Sequence, residues 1–201
     1  MNWPPSFGLS SDHCTDVLQG CYDLPYKATR CLDIGANVGA FARWANTRWP
    51  GVVTYSYEPH PGNFALLQKS IDYFKLPHAL AYQTAVADGD GEMTLHENGN
   101  CGEWSLIKFG KGDGQIKVQV MDAAKLPDAD FIKIDTEGAE PNILKRLLDT
   151  HKLEGVGALV LEYHAAIAVV PLIWMCHEAG LRLHSVIPIS DHRGIAKFLR
   201  P

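Results

Sequence analysis

Cysteine forms no paired motif in this chain. Its five residues (Cys14, Cys21, Cys31, Cys101 and Cys176) are odd in number and contain no C-x-x-C pair. That argues against a disulfide framework and a zinc ribbon, and it makes a reducing, cytoplasmic setting the expectation. Basic runs are also missing. Lys plus Arg number 18 against 23 Asp plus Glu, a net charge of −5, so the clustered cations that bind a phosphate backbone are absent and nucleic acid is not an expected partner. No stretch approaches the roughly 18 to 20 apolar residues of a membrane span. Pro4 and Pro5 stand where a signal peptide would carry its apolar run, so neither a membrane segment nor a leader is expected. There is no Ser- or Pro-rich linker and no repeat, and one domain over residues 28–201 is the economical division.

What is present is an average globular composition: 201 residues, 46% hydrophobic, 20% charged, 9% aromatic. Residues 1–27 carry Pro4, Pro5, Gly8, Gly20 and Pro25 without a helical or strand period and read as an irregular arm, with Trp3, Phe7 and Tyr22 expected to pack. From there short apolar runs alternate with helical patterns. Strands are expected at Cys31–Ile34, Val52–Tyr57, Leu80–Ala87, Asp130–Asp135, Gly157–Glu162, Arg182–Ile189 and Ile195–Leu199. Helices are expected at Val38–Arg48, from Pro61 through the Phe64, Leu67, Ile71, Phe74 stripe, at Ala139–Asp149 and at Ile167–Ala179. Between them Met93–Leu95, Trp104–Phe109 and Ile116–Val120 suggest a small β-meander with turns at Asn98-Gly99 and Gly110–Gly114. Alternating strands and helices imply an α/β fold, a mostly parallel sheet with helices on both faces.

The first strand runs through Asp33-Ile34-Gly35-Ala36-Asn37-Val38-Gly39 into a helix, the place where open α/β sheets bind nucleotide-like ligands. A dinucleotide site would show G-x-G-x-x-G; this turn has G-x-x-x-G after an acid. A carboxylate at Asp33 would repel a pyrophosphate but could accept hydrogen bonds from an ammonium, such as the amino-acid end of S-adenosyl-L-methionine. The alternative is a plain strand-to-helix turn that needs Gly35 for its φ and Asn37 as a cap. Glu58, 19 residues beyond Gly39 at the end of the second strand, could take both ribose hydroxyls, or be a solvated acid before Pro59. Asp88, after Ala85-Val86-Ala87, could meet an adenine amino group, or be a turn residue in Asp88-Gly89-Asp90-Gly91.

Three segments, Leu32–Gly39, Glu58-Pro59-His60-Pro61 with Phe64 and Leu67, and Phe131–Glu140 with Ile143-Leu144, together resemble the FkbM family of class I methyltransferases. The resemblance covers about residues 28 to 163. It implies a Rossmann-like seven-stranded sheet with an antiparallel last strand, S-adenosyl-L-methionine as methyl donor with S-adenosyl-L-homocysteine as product, and O-methylation of a hydroxyl on a sugar or other small molecule. On that basis Asp33, Gly35, Asn37, Gly39, Glu58, Pro59, Ala87, Asp88 and Asp135 are expected around the cofactor. Ser70, Pro141 and the Trp104-Ser105 region depart from the family's pattern.

Asp135, Glu137 and Glu140 fall together after the fourth strand. They could surround a sulfonium with negative charge, deprotonate an acceptor hydroxyl, or ligate a hard divalent ion, although no metal site is predicted. Glu140 equally suits the first turn of a helix. His164, after Leu161-Glu162-Tyr163, would share the rim with Asp135, and a His of near-neutral pKa is a natural base for an alcohol; a capping or solvated His is the alternative. His60 has a weaker case, and His13 near Cys14 and Cys21 lacks an evident fourth ligand. The expected catalytic residues are thus Asp135, His164 and Glu137. A small-molecule or glycan acceptor is the expected partner. The alternatives are an RNA or protein methyltransferase on the same fold, or a protein that holds the cofactor without chemistry.

Overall fold

The structure is a computed structural model that describes Trp3, Phe7 and residues 20–97, 104–107, 114–164 and 169–201. Most of the N-terminal arm, including His13 and Cys14, lies outside these residues. So do Asn98-Gly99, most of the Gly110–Gly114 turn, the strand expected beyond Ile107, and Ile167-Ala168.

Strands β1 (Arg30–Ile34), β2 (Val53–Tyr57) and β3 (Ala79–Tyr82) are joined by helices α1 (Ala40–Arg48) and α2 (Pro61–Tyr73). The chain then leaves the main sheet for β4 (Ala85–Ala87), β5 (Gly91–Glu97), β6 (Trp104–Ser105) and β7 (Gln115–Asp122). It returns with β8 (Phe131–Ile134), α3 (Glu140–Asp149), β9 (Ala158–Tyr163), α4 (Val169–Glu178), β10 (Arg182–Pro188) and β11 (Gly194–Leu199). The seven-stranded sheet has the order β10-β11-β9-β8-β1-β2-β3, parallel from β9 to β3, with β11 antiparallel to both of its neighbours. This is the Rossmann-like α/β sheet with an antiparallel last strand.

The pleat divides the core cleanly. Leu32, Ile34, Ile132, Ile134, Leu159 and Leu161 face Ile143, Leu144 and Leu147 of α3 and Leu172 and Cys176 of α4. The alternate positions Cys31, Phe131, Ala158 and Val160 face Phe41, Trp44 and Ala45 of α1, so helices cover both faces. Pro141 fits the first turn of α3, where its missing N–H costs nothing. Ser70, fully buried on α2, donates to the Val38 carbonyl at 2.7 Å and so ties α2 to the turn after β1. In the arm, Trp3 and Phe7 are buried with Val38, and Tyr22 packs on Phe41 at 5.3 Å between ring centroids.

Two expectations need correction. The run Leu80–Ala87 is not one strand: it divides at Gln83-Thr84 into β3, paired with β2, and β4, paired with β7 in a second sheet of order β4-β7-β5-β6. That second sheet is not a simple meander either, because β4 and β7 are parallel.

Candidate active site

The strand order reverses between β1 and β8. The chain proceeds from β1 to β2 and β3 on one side, and later places β8 on the other. Open α/β sheets form a crevice at such a switch point, beyond the carboxyl ends of the strands. The pocket found there is lined by Gly35 and Asn37 after β1, Glu58 and Pro59 after β2, Ala85 and Val86 of β4, and Asp135, Thr136 and Glu137 after β8. Trp104 and Ser105 of β6 close one side. Asp33, Gly39, Ala87, Asp88 and His164 are not among the lining residues.

Glu58 is not a solvated loop acid. It is 5% exposed, and its carboxylate accepts the backbone N–H of Asn37 at 2.8 Å and of His60 at 2.9 Å. Burial outweighs these hydrogen bonds and pushes its pKa up to about 7. Among the described residues it has no ion-pair partner, and its remaining lone pairs are available to a ligand. His60, the weak base candidate, is occupied as the cap of α2, accepting from the Asn63 N–H at 3.3 Å, and its ring stacks on Trp104 at 4.6 Å.

Asp33 does not line this pocket and is engaged by the protein's own groups. The parallel register places it beside Ser56 on β2 and Lys133 on β8, on the α1 face of the sheet. Its carboxylate is fully buried, 3.3 Å from Lys133 Nζ and 3.3 Å from the donating Ser56 hydroxyl. The glycines likewise answer to the protein's own packing. Gly35 has φ +82, and a Cβ there would overlap the Asp135 carbonyl oxygen. At Gly39, φ +92, a Cβ would lie 2.8 Å from Leu67 Cδ1. Asn37 adopts a left-handed φ of 49 and does not cap α1, whose N-cap is Gly39. Asp88 is exposed in the turn after β4, away from the pocket.

Lys133 is the residue that sequence reasoning missed. Its Nζ donates to the Gly35 carbonyl at 2.6 Å and pairs with Asp33 and, at 3.4 Å, with Asp135. One buried ammonium thus joins the turn after β1 to the acids after β8. The available signal was a lysine inside the apolar run Phe131-Ile132-Lys133-Ile134, since a buried parallel strand tolerates a charge only with its counter-charge beside it.

Asp135, Glu137 and His164 do converge. His164 Nε2 lies 3.1 Å from Glu137 Oε2, 3.7 Å from Glu162 Oε1 and 4.0 Å from Asp135 Oδ1, while Nδ1 is 3.1 Å from Glu140 Oε1. Burial alone would lower the pKa of this imidazole. The nearby carboxylates of Glu137, Glu140 and Asp135 prevail and push it up to about 11. The near-neutral base expected at His164 thus meets a different setting, a ring held among carboxylates that favour its protonated form. Asp135 is held below its ordinary value, because Lys133, His164 and Arg193 together outweigh the effect of burial. Glu140 organises the loop: its Oε1 accepts the backbone N–H of Thr136 at 2.9 Å and of Gly138 at 3.1 Å. That holds Glu137 in a left-handed conformation, φ 55, while the Ser105 hydroxyl donates to the Glu137 carbonyl at 2.6 Å.

The Methyltransferase FkbM domain matches residues 33–169, more than half of the chain. The chain belongs to the FkbM methyltransferase family. Among curated relatives of this FkbM chain, Methyltransferase 1 of Beauveria bassiana is 22% identical over 167 residues, covering 69% of this chain and 67% of that protein. The hexuronic acid methyltransferase AglP of Haloferax volcanii is 22% identical over 154 residues, covering 74% of this chain and 62% of that protein. The FkbM methyltransferase structure from Methylobacillus flagellatus superposes with a TM-score of 0.66 at 15% identity, over 87% of this chain and 44% of that one. This FkbM chain thus spans between about two fifths and two thirds of the length of these proteins. No helix among the described residues is long and apolar enough to cross a membrane.

Proposed function

We propose that this FkbM-family chain is an S-adenosyl-L-methionine-dependent O-methyltransferase acting on a hydroxyl of a sugar or similar small molecule. The observation that carries the reading is Glu58, a buried carboxylate that has no ion-pair partner among the described residues and lines a pocket at the sheet's switch point. Two vicinal hydroxyls suit it. Ribose O–H groups would donate to the carboxylate lone pairs that Asn37 and His60 leave open. The apolar lining of Pro59, Ala85, Val86 and Leu95 suits a purine, and the turn Gly35–Asn37 suits the methionine end. The bound donor supplies a methyl group on a sulfonium. Asp135 and Glu137 set negative charge on the opposite wall, where it favours a cationic centre over a pyrophosphate.

For the acceptor, we assign Asp135 the role of receiving the hydroxyl hydrogen bond and its proton as the oxygen attacks. Lys133 holds that carboxylate in place, and Glu137 flanks it. His164 stands behind the acids, 3.1 Å from Glu137, and positions it. In-line alignment of donor and acceptor supplies much of the rate of such a displacement, so a strong base is not required. Support for a sugar acceptor comes from the relative named as a hexuronic acid methyltransferase. We also read residues 28–201 as one methyltransferase domain, with residues 1–27 as an arm docked through Trp3 and Phe7. The experiment is incubation with labelled donor and a panel of sugars, uronic acids, phenols, macrolides, RNA and protein. Methyl transfer to a hydroxyl of a sugar or other small molecule is expected. Transfer to RNA or protein alone, or to nothing, would refute the acceptor class.

A further inference from the structure

We infer that the acids behind the pocket form a binding site for a divalent transition-metal ion, with Asp135 Oδ1, Glu137 Oε2 and His164 Nε2 as its ligands. The inference rests on the methyltransferase reading only for its chemical purpose; the site itself is argued from the polar groups. Each carboxylate is divided between duties. Lys133 takes Asp135 through Oδ2, which leaves Oδ1 on the His164 side. Arg193 takes Glu162 through Oε1, which leaves Oε2 buried and without a hydrogen bond. The side chain of His164 is 7% exposed, and its Nε2, though three carboxylate oxygens stand within 4.0 Å, makes no hydrogen bond of acceptable geometry. A buried polar atom without an aligned partner, aimed at a set of acids, points to something that belongs between them.

The two spacings from Nε2 agree with a metal. Atoms held about 2.1 Å from an octahedral ion lie roughly 3.0 Å apart when adjacent and roughly 4.2 Å apart when opposite. Glu137 Oε2 and Asp135 Oδ1 lie 3.1 and 4.0 Å from Nε2. Asp135, Glu140 and His164 each present a potential ligand atom, all within 4.8 Å of one another. Glu140 takes the outer place, because its Oε1 already faces Nδ1 at 3.1 Å. An Nδ1–H donated to a carboxylate fixes the tautomer and turns the Nε2 lone pair towards the ion, the usual arrangement behind a metal-bound histidine.

Charge agrees as well. When all are ionised, Asp33, Asp135, Glu137, Glu140 and Glu162 face, among the described residues, Lys133 and Arg193 as fixed cations. A protonated imidazole leaves an excess of two negative charges, and a divalent ion on a neutral imidazole leaves one. One imidazole with two carboxylates suits Mn2+, Fe2+ or Zn2+ better than Ca2+. Asp135 and Glu137 line the pocket, so the ion has an entry path and an open side. An ion there would bind an acceptor hydroxyl and lower its pKa.

Protein stripped with EDTA and desalted is titrated with Mn2+ alone, following free Mn2+ by electron paramagnetic resonance. One ion per chain is expected. Asp135→Asn and Glu137→Gln should each weaken binding at least about tenfold, and Glu140→Gln by about 10- to 100-fold through the histidine. Glu92→Gln, at an exposed ion pair on β5, should change nothing. In the unmodified protein Mn2+ should broaden the His164 ring resonances first, which decides the matter even if a variant fails to fold. No saturable binding, equal affinity in the Asp135 and Glu137 variants, or broadening that spares His164 would overturn the site. A parallel titration with S-adenosyl-L-homocysteine in EDTA separates the two ideas. Homocysteine-form binding without Mn2+ binding removes the metal site and leaves the methyltransferase reading, and the converse removes the reading and leaves the site.

Discussion

Replacing Lys133 with Met removes the ammonium while keeping most of the side chain's volume, at a position 4% exposed. The change leaves Asp33 fully buried with the Ser56 hydroxyl at 3.3 Å as its remaining polar neighbour. It also deprives Asp135 of a pairing at 3.4 Å and the Gly35 carbonyl of a donor at 2.6 Å. Breaking a buried pair from one side costs about 3 to 5 kcal/mol, because the surviving charge stays desolvated. With an m-value of about 2.5 kcal/mol/M, the urea midpoint should fall by roughly 1 to 2 M. A total stability near the middle of the typical range, about 10 kcal/mol, leaves the variant folded in dilute buffer. Adding Asp33→Asn to Lys133→Met should restore at least about 1 kcal/mol, since an amide needs no counter-charge. Urea unfolding followed by circular dichroism measures both. A midpoint unchanged in the single variant, or no recovery in the double, would refute the view that Lys133 neutralises Asp33 and leaves it no role towards a ligand's ammonium.

Gly35→Ala should lower stability by about 3 kcal/mol or more, because its Cβ meets the Asp135 carbonyl oxygen at a left-handed φ; Gly89→Ala, with nothing within 4 Å, should stay within about 0.5 kcal/mol in the same thermal melts. Asp122 accepts from Arg146 and from the Ala124 N–H, which holds its pKa down to about 2. Its contribution is therefore present above the unfolded pKa near 4 and lost as pH falls towards 2, so the melting temperatures of the unmodified protein and Asp122→Asn should converge across that window. Glu58 has the opposite sign. Burial raises it to about 7, so the ligand-free protein should be most stable below about pH 4.5 with respect to this group and lose that contribution as pH rises through 7. Glu58→Gln should flatten that part of the stability–pH curve.

The main sheet was legible because each of its strands is a short apolar run bounded by polar turns, and each helix shows its stripe. The division of Leu80–Ala87 was not, because Gln83-Thr84 carries neither Gly nor Pro; pairing with β2 on one side and β7 on the other separates the halves. In the site, Glu58 and Asp135 could be placed from position alone, since a residue just past a parallel strand must face the crevice. Asp33 could not, because what decides its role is Lys133, opposite in register and 100 residues away in sequence. The protonation of His164 was hidden for the same reason. It depends on Glu137 and Glu140, brought against the ring by the β8–β9 pairing and by a loop whose shape Glu140 itself sets.

The central claim is that Glu58 anchors the ribose of an S-adenosyl ligand at the switch point. Isothermal titration with S-adenosyl-L-homocysteine at pH 8 tests it most directly, with NAD as the comparison ligand and Glu58→Ala as the comparison protein. One site per chain is expected for the homocysteine, none for NAD, and a loss of about 1 to 3 kcal/mol in the variant, a factor of roughly 5 to 150 in the dissociation constant. Affinity should also fall in the unmodified protein as pH drops below about 7, where the Glu58 carboxylate becomes protonated. Equal binding of NAD, or an unchanged dissociation constant in Glu58→Ala, would contradict the account.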